Sequence, residues 1–188
     1  MAHREIILMR HGRPDLSSSQ KIPAREMQDW MAQYDCAEIV DEQAPDACMT
    51  LAASARVIVS SSAPRARSSL QVLGVEPDIV DDVFCEAQLP HTHWHHPRLS
   101  PFTWAFIFRM LWLCGFSGAA ESVRCAKRRA HTAAQRLQDL SGAGRVFLAG
   151  HGVMNRLIAR HLEADGWACH ARSGRGYWSV MVYRCVPG

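Results

Sequence analysis

Two runs of consecutive apolar residues constrain the fold most: Ile6-Ile7-Leu8-Met9 and Val146-Phe147-Leu148-Ala149 contain no polar side chain. A strand with one wetted face alternates apolar and polar residues, because successive side chains point to opposite faces. A strand apolar at every position therefore belongs in the middle of a sheet covered on both sides, the setting of parallel strands. Further β-type runs at 56–60, 78–83 and 177–183 are separated by helical segments at 24–34 and 64–73. Residues Val123, Ala126, Ala130, Ala133, Leu137 and Leu140 recur at spacings of three and four and draw an apolar stripe along a long helix. It ends at Ser141-Gly142-Ala143-Gly144, and another helix is expected between Gly152 and Asp165-Gly166. The alternation predicts an α/β protein with three layers, helices on both faces of a mostly parallel central sheet.

Composition bounds the rest. A chain of 188 residues with 48% hydrophobic residues suits one domain, 1–188, and the pattern is irregular only at about 87–118, which is read as an insertion. Seven cysteines make an odd count with no Cys-x-x-Cys pair, the usage of a reducing compartment. The first apolar run is too short for a secretory signal. The greasy stretch 101–118 is interrupted by Arg109 and falls short of the roughly 20 residues a spanning helix needs. A cytoplasmic protein with no membrane contact is expected. The basic residues Arg124, Lys127, Arg128, Arg129 and Arg136 lie opposite the apolar stripe with few aromatic neighbours, so they read as a solvated helix face and not as a nucleic-acid site.

Three strand ends carry the chemistry. The first runs into Arg10-His11-Gly12, the second into Ser60-Ser61-Ser62-Ala63-Pro64-Arg65, and a later one into Gly150-His151-Gly152. Ligands of open α/β sheets bind beyond the carboxyl ends of the strands, where residues far apart in sequence converge. An anion pocket holding two histidines follows. In phosphoryl transfer, negative charge spreads over the equatorial oxygens, and guanidinium forks and imidazole N–H groups match it. Arg10, Arg65 and His151 are the expected clamp. His11 would attack as neutral imidazole with one ring nitrogen held by a backbone carbonyl, and Gly12 would let the backbone turn close to the phosphate. A leaving alkoxide needs a proton; Glu86, just after the third strand, is the candidate donor, with Glu121 in reserve. Arg13 is a candidate further phosphate contact.

These elements resemble the histidine phosphatase superfamily, in the branch that includes the cofactor-dependent phosphoglycerate mutases. The matching residues are Arg10-His11-Gly12, the stretch from Ser61 to Arg67, Glu86 and Gly150-His151-Gly152, in order over 6–157. The resemblance implies a phosphoglycerate mutase-like fold, His11 as the phosphorylated nucleophile, Arg10, Arg65 and His151 as phosphoryl ligands, and Glu86 as proton donor. Arg13-Pro14-Asp15 stands where the mutases carry a short hydroxyl residue and an asparagine, which argues against mutase activity.

The expected activity is hydrolysis of phosphomonoesters through phosphohistidine, on a phosphorylated small molecule, with no cofactor and no metal. Two alternatives stand beside it: a phospho-ligand binding or scaffolding protein with weak turnover, and a protein phosphohistidine phosphatase. His91, His93, His95 and His96 crowd around Trp94, but no cysteine or carboxylate spacing accompanies them as a metal site would require. The helix 102–113 presents Trp104, Phe108 and Trp112 on one face and Phe102, Phe106, Met110 and Leu113 elsewhere. It reads as a core helix, a lid for apolar substrates, or the face of a homodimer.

Overall fold

A computed structural model describes residues 4–16 and 20–185. In chain order the elements are β1 (Glu5–Arg10), β2 (Ile22–Pro23), α1 (Met27–Cys36), α2 (Asp46–Ala53), β3 (Val57–Ser60), α3 (Pro64–Val72) and β4 (Ile79–Val80). There follow β5 (Arg98–Leu99), α4 (Pro101–Leu113), α5 (Val123–Leu140), β6 (Val146–Gly150), α6 (Gly152–Ala164), β7 (Trp167–Ser173) and β8 (Val180–Cys185). Six strands form one sheet in the order β4-β3-β6-β1-β8-β7. The first four are mutually parallel, β8 runs antiparallel to β1, and β7 runs antiparallel to β8.

The two wholly apolar runs occupy the centre as β1 and β6, paired in register from Ile6 with Val146 to Arg10 with Gly150. Their alternate residues divide between two layers. Ile6, Leu8, Val146 and Leu148 pack with Ala130, Leu137, Ile158 and Leu162 of α5 and α6. Ile7, Met9, Phe147 and Ala149 face the other way, onto Cys48 of α2 and Ala66 and Leu70 of α3. Each strand residue is buried against a helix on its own side, which makes the three layers and explains why no polar residue is tolerated there.

Local signals set the helix ends. Ser122 caps α5 by accepting from the Cys125 N–H, Pro64 occupies the first turn of α3, and Gly144, at φ 131°, turns the chain beyond α5 into β6. Ser100 accepts from Thr103 N–H to start α4, which docks on α1 through Ala24, Met27, Trp104 and Phe108. So the irregular segment 87–118 contributes a helix that roofs the end of the sheet.

Two expectations are corrected. The strand placed at 78–83 ends after Val80, because the Asp81 carboxylate accepts from Val83 N–H and bends the chain into a short 3-10 turn, Asp82–Phe84. The strand placed at 177–183 begins only at Val180, since Trp178 has φ 59° and interrupts the extended chain. Strand β7 and helix α2 were not expected. Among the described residues no helix is long and apolar enough to cross a membrane.

Candidate active site

The carboxyl ends of β1, β3 and β6 lie side by side, and backbone bonds continue just past them: His11 N–H donates to Gly150 O at 3.1 Å, and Ser61 N–H to Ala149 O at 3.2 Å. The Asn155 amide of α6 donates to Met9 O at 3.0 Å and ties the end of β1 down. Gly150 makes room for it, because a Cβ there would lie 2.4 Å from Asn155 Oδ1. Topology alone thus brings His11, Ser61 and His151 together.

His11 is buried, and its Nδ1 lies 2.7 Å from Gly12 O. A carbonyl only accepts, so the proton sits on Nδ1 and Nε2 carries the lone pair. The His151 ring lies 5.1 Å from that of His11, centroid to centroid, and its Nε2 is 2.7 Å from Ser61 Oγ. Burial pushes the pKa of His11 well below the usual 6.5, and charge at His151, Arg65 and Arg10 pushes the same way against the Gly12 carbonyl. His151 is lowered likewise, by burial first and then by Arg65, Arg10 and Arg129. Both imidazoles are neutral at pH 7.

Arg65 has a nearly buried side chain. It lies 4.7 Å over the Tyr34 ring, donates to Tyr34 O at 3.1 Å, and pairs with Asp35 at 3.2 Å. Arg10 lies 4.5 Å over the Tyr177 ring. Arg10 Nε, Arg65 Nε and His151 Nδ1 are buried and have no hydrogen-bond partner within the described protein. Leaving such groups unpaired costs about 1–3 kcal/mol each. Three of them around one imidazole make a site suited to an anion.

A cavity of about 240 Å³ has Arg10, Arg65, Glu86, Arg109, Tyr34 and Tyr177 in its walls, while His11 and His151 are buried and not among its lining residues. Trp30 and Phe102, edge to face at 5.4 Å, form an apolar side. Burial raises the Tyr34 pKa, with Tyr177 adding to the effect, so its hydroxyl stays neutral.

Not every expected residue has a free hand here. Glu86 lines the cavity, but its carboxylate accepts from Val153, Met154 and Ala87 N–H at 2.9–3.0 Å, anchoring the start of α6. Glu121 does not line it; both its oxygens take Arg129, at 3.0 and 2.7 Å. Arg13 is also absent from the cavity wall, because it is largely exposed and drawn to Glu42 at 3.7 Å. The close neighbour of Gly12 is the Trp178 indole, which a Cβ would meet at 2.5 Å, and the Gly12 backbone N–H donates to Ser69 Oγ at 2.9 Å. That packing leaves no room for a side chain at Gly12.

Sequence reasoning missed Tyr34, Tyr177 and Arg109. Arg109 registered only as a break in a greasy run, yet from α4 it donates to Ala87 O at 2.8 Å and keeps Nη1 buried without a partner within the described protein. A lone arginine amid aromatic residues was the signal. The histidines of 91–96 do not form a metal-type cluster: among the described residues no three His, Cys, Asp or Glu side chains are grouped to hold an ion, and His95 Nδ1 lies 2.8 Å from Arg25 Nη1.

No family model and no curated protein sequence matches the chain. Solved structures do. A mycobacterial glucosyl-3-phosphoglycerate phosphatase is 18% identical with a TM-score of 0.61, over 97% of this chain and 90% of its own. Mycobacterial hydrolase 2 is 21% identical with a TM-score of 0.62, over 100% and 85%. A histidine-to-alanine mutant of phosphoserine phosphatase from Entamoeba histolytica, solved with phosphoserine, is 12% identical with a TM-score of 0.57, over 95% and 89%. The chain therefore shares the fold of these phosphatases. It is the phosphoglycerate mutase-like α/β architecture that the sequence motifs imply.

Proposed function

We propose that this protein is a phosphatase that hydrolyses small phosphomonoesters through a phosphohistidine at His11. The observation that carries the reading is the His11 ring, neutral and tautomerically fixed by Gly12 O, beside three unpaired buried nitrogen atoms on Arg10, Arg65 and His151. Nε2 attacks phosphorus as the P–O bond to the leaving group breaks, and the leaving oxygen takes a proton. Water then attacks the phosphohistidine and gives a proton back to the group that protonated the leaving oxygen, the P–N bond breaks, and inorganic phosphate and the neutral imidazole are released. Arg10, Arg65 and His151 hold the equatorial oxygens, where preorganised donors are worth most. Glu86 is the proposed proton donor, supported by its position in the cavity wall and by the engagement of Glu121 with Arg129.

Phosphatases share this fold, one of them solved with VO3 and another with phosphoserine, and that agrees with the reading. A second reading, phospho-ligand binding with slow turnover, is favoured by one observation: the Glu86 carboxylate is committed to three backbone N–H groups.

Turnover of an activated aryl phosphate and an alkyl phosphate, in a chelator and with Glu86→Gln alongside, separates the two. The phosphatase predicts hydrolysis of both, with Glu86→Gln slowing the alkyl ester by roughly 10²-fold or more and the aryl ester far less. Vanadate binding without turnover of either ester selects the binding protein.

A further inference from the structure

Past Arg10, toward the β7–β8 side of the sheet, lies a second concavity, about 770 Å³ against the 240 Å³ of the candidate catalytic cavity. Four arginines line it: Arg10 from β1, Arg156 from α6, Arg172 from β7, and Arg175 from the turn between β7 and β8. No Asp or Glu is among its lining residues. Arg156 Nε donates to Gly152 O at 2.9 Å, which holds that guanidinium across the first turn of α6. Arg172 is steadied from outside the groove by Glu163 at 3.5 Å and by the Tyr183 hydroxyl at 3.4 Å. Arg175 has no hydrogen bond or ion pair among the described residues, and Arg10 Nε is buried without a partner there.

Like charges drawn from four elements repel one another; Glu163 offsets Arg172 from outside the groove, and no carboxylate lining it offsets Arg10, Arg156 or Arg175. An anionic occupant would. Guanidinium forks match phosphate oxygens two at a time, and the breadth of the groove suits more than one phosphate group. We propose that this groove is a second anion site, distinct from the cavity walled by Arg10, Arg65 and Glu86, that takes a ligand carrying two or more linked phosphate groups. Arg10 lines both concavities, so the occupant of the groove and a phosphoryl group at His11 compete for one guanidinium or share it.

Titration calorimetry with tripolyphosphate, and with citrate at matched ionic strength, reads this site whether or not the chain turns over any phosphomonoester. Wild-type protein should bind tripolyphosphate more tightly than citrate. An Arg156→Ala/Arg175→Ala double variant should bind it at least about tenfold more weakly, as expected for two lost charge-assisted contacts. Arg175→Ala alone, in an exposed turn, should move in the same direction with an unchanged melting temperature. Absence of tripolyphosphate binding, equal affinity in wild type and both variants, or citrate binding as tightly would each overturn the proposal.

Discussion

His11 and His151 are both held neutral by burial among arginines, and the sign of the resulting pH dependence follows. As pH falls through about 6.5 the unfolded chain protonates these two imidazoles while the folded chain does not. Their contribution to stability is complete above that pH and is lost below it, at up to about 1.4 kcal/mol per histidine per pH unit. Urea midpoints from pH 7.5 to 5.5 should therefore fall more steeply for wild type than for a His11→Gln/His151→Gln variant; equal slopes would contradict the neutral pair. Catalysis should show no loss at pH 6.5 from protonation of His11. At this scale the sequence identified residues well where strand ends dictate their position: Arg10, His11, Arg65 and His151 converge because β1, β3 and β6 are parallel neighbours. Partners remote in sequence were not legible: Arg13 is drawn to Glu42 and the Gly12 N–H donates to Ser69 Oγ, and neither partner is visible in the local motif.

Helix α4 shows how an element resolves an ambiguous pattern. Its apolar residues surround the axis; Trp104 and Phe108 are buried beside Met27 of α1 and Trp112 in the core layer with α5, leaving Phe106 and Leu113 64% and 56% exposed. Phe108→Ala should cost about 3–5 kcal/mol in urea unfolding, since it opens a cavity in the layer beside α1. Phe106→Ser should stay within about 0.5 kcal/mol, and a loss as large as that of Phe108→Ala would mean that the outer face is also packed. β1 and β6 were legible from their unbroken apolar runs, α5 from its periodic stripe, and α6 from the glycines that bound it. β7 was not, because the edge strand Trp167–Ser173 is mostly exposed and has no apolar alternation to read. α2 escaped because eight residues hold too little pattern.

For the whole molecule, the parallel core and the convergence of His11, Ser61 and His151 at one edge of it followed from two apolar runs and three strand-end motifs. The contents of the cavity did not. Tyr34, Arg109 and Tyr177 reach it from α1, α4 and the turn before β8, and only tertiary packing brings those elements over the sheet edge. The central claim is that this arrangement makes His11 a phosphoryl carrier. Rapid-quench trapping with a phosphorus-labelled substrate, followed by peptide mapping, tests it most directly. The account predicts an acid-labile, alkali-stable label on the peptide containing His11, absent from His11→Ala and still formed, more slowly, in His151→Ala. Undiminished labelling of His11→Ala, or turnover in wild type with no trapped label under any quench time, would contradict it.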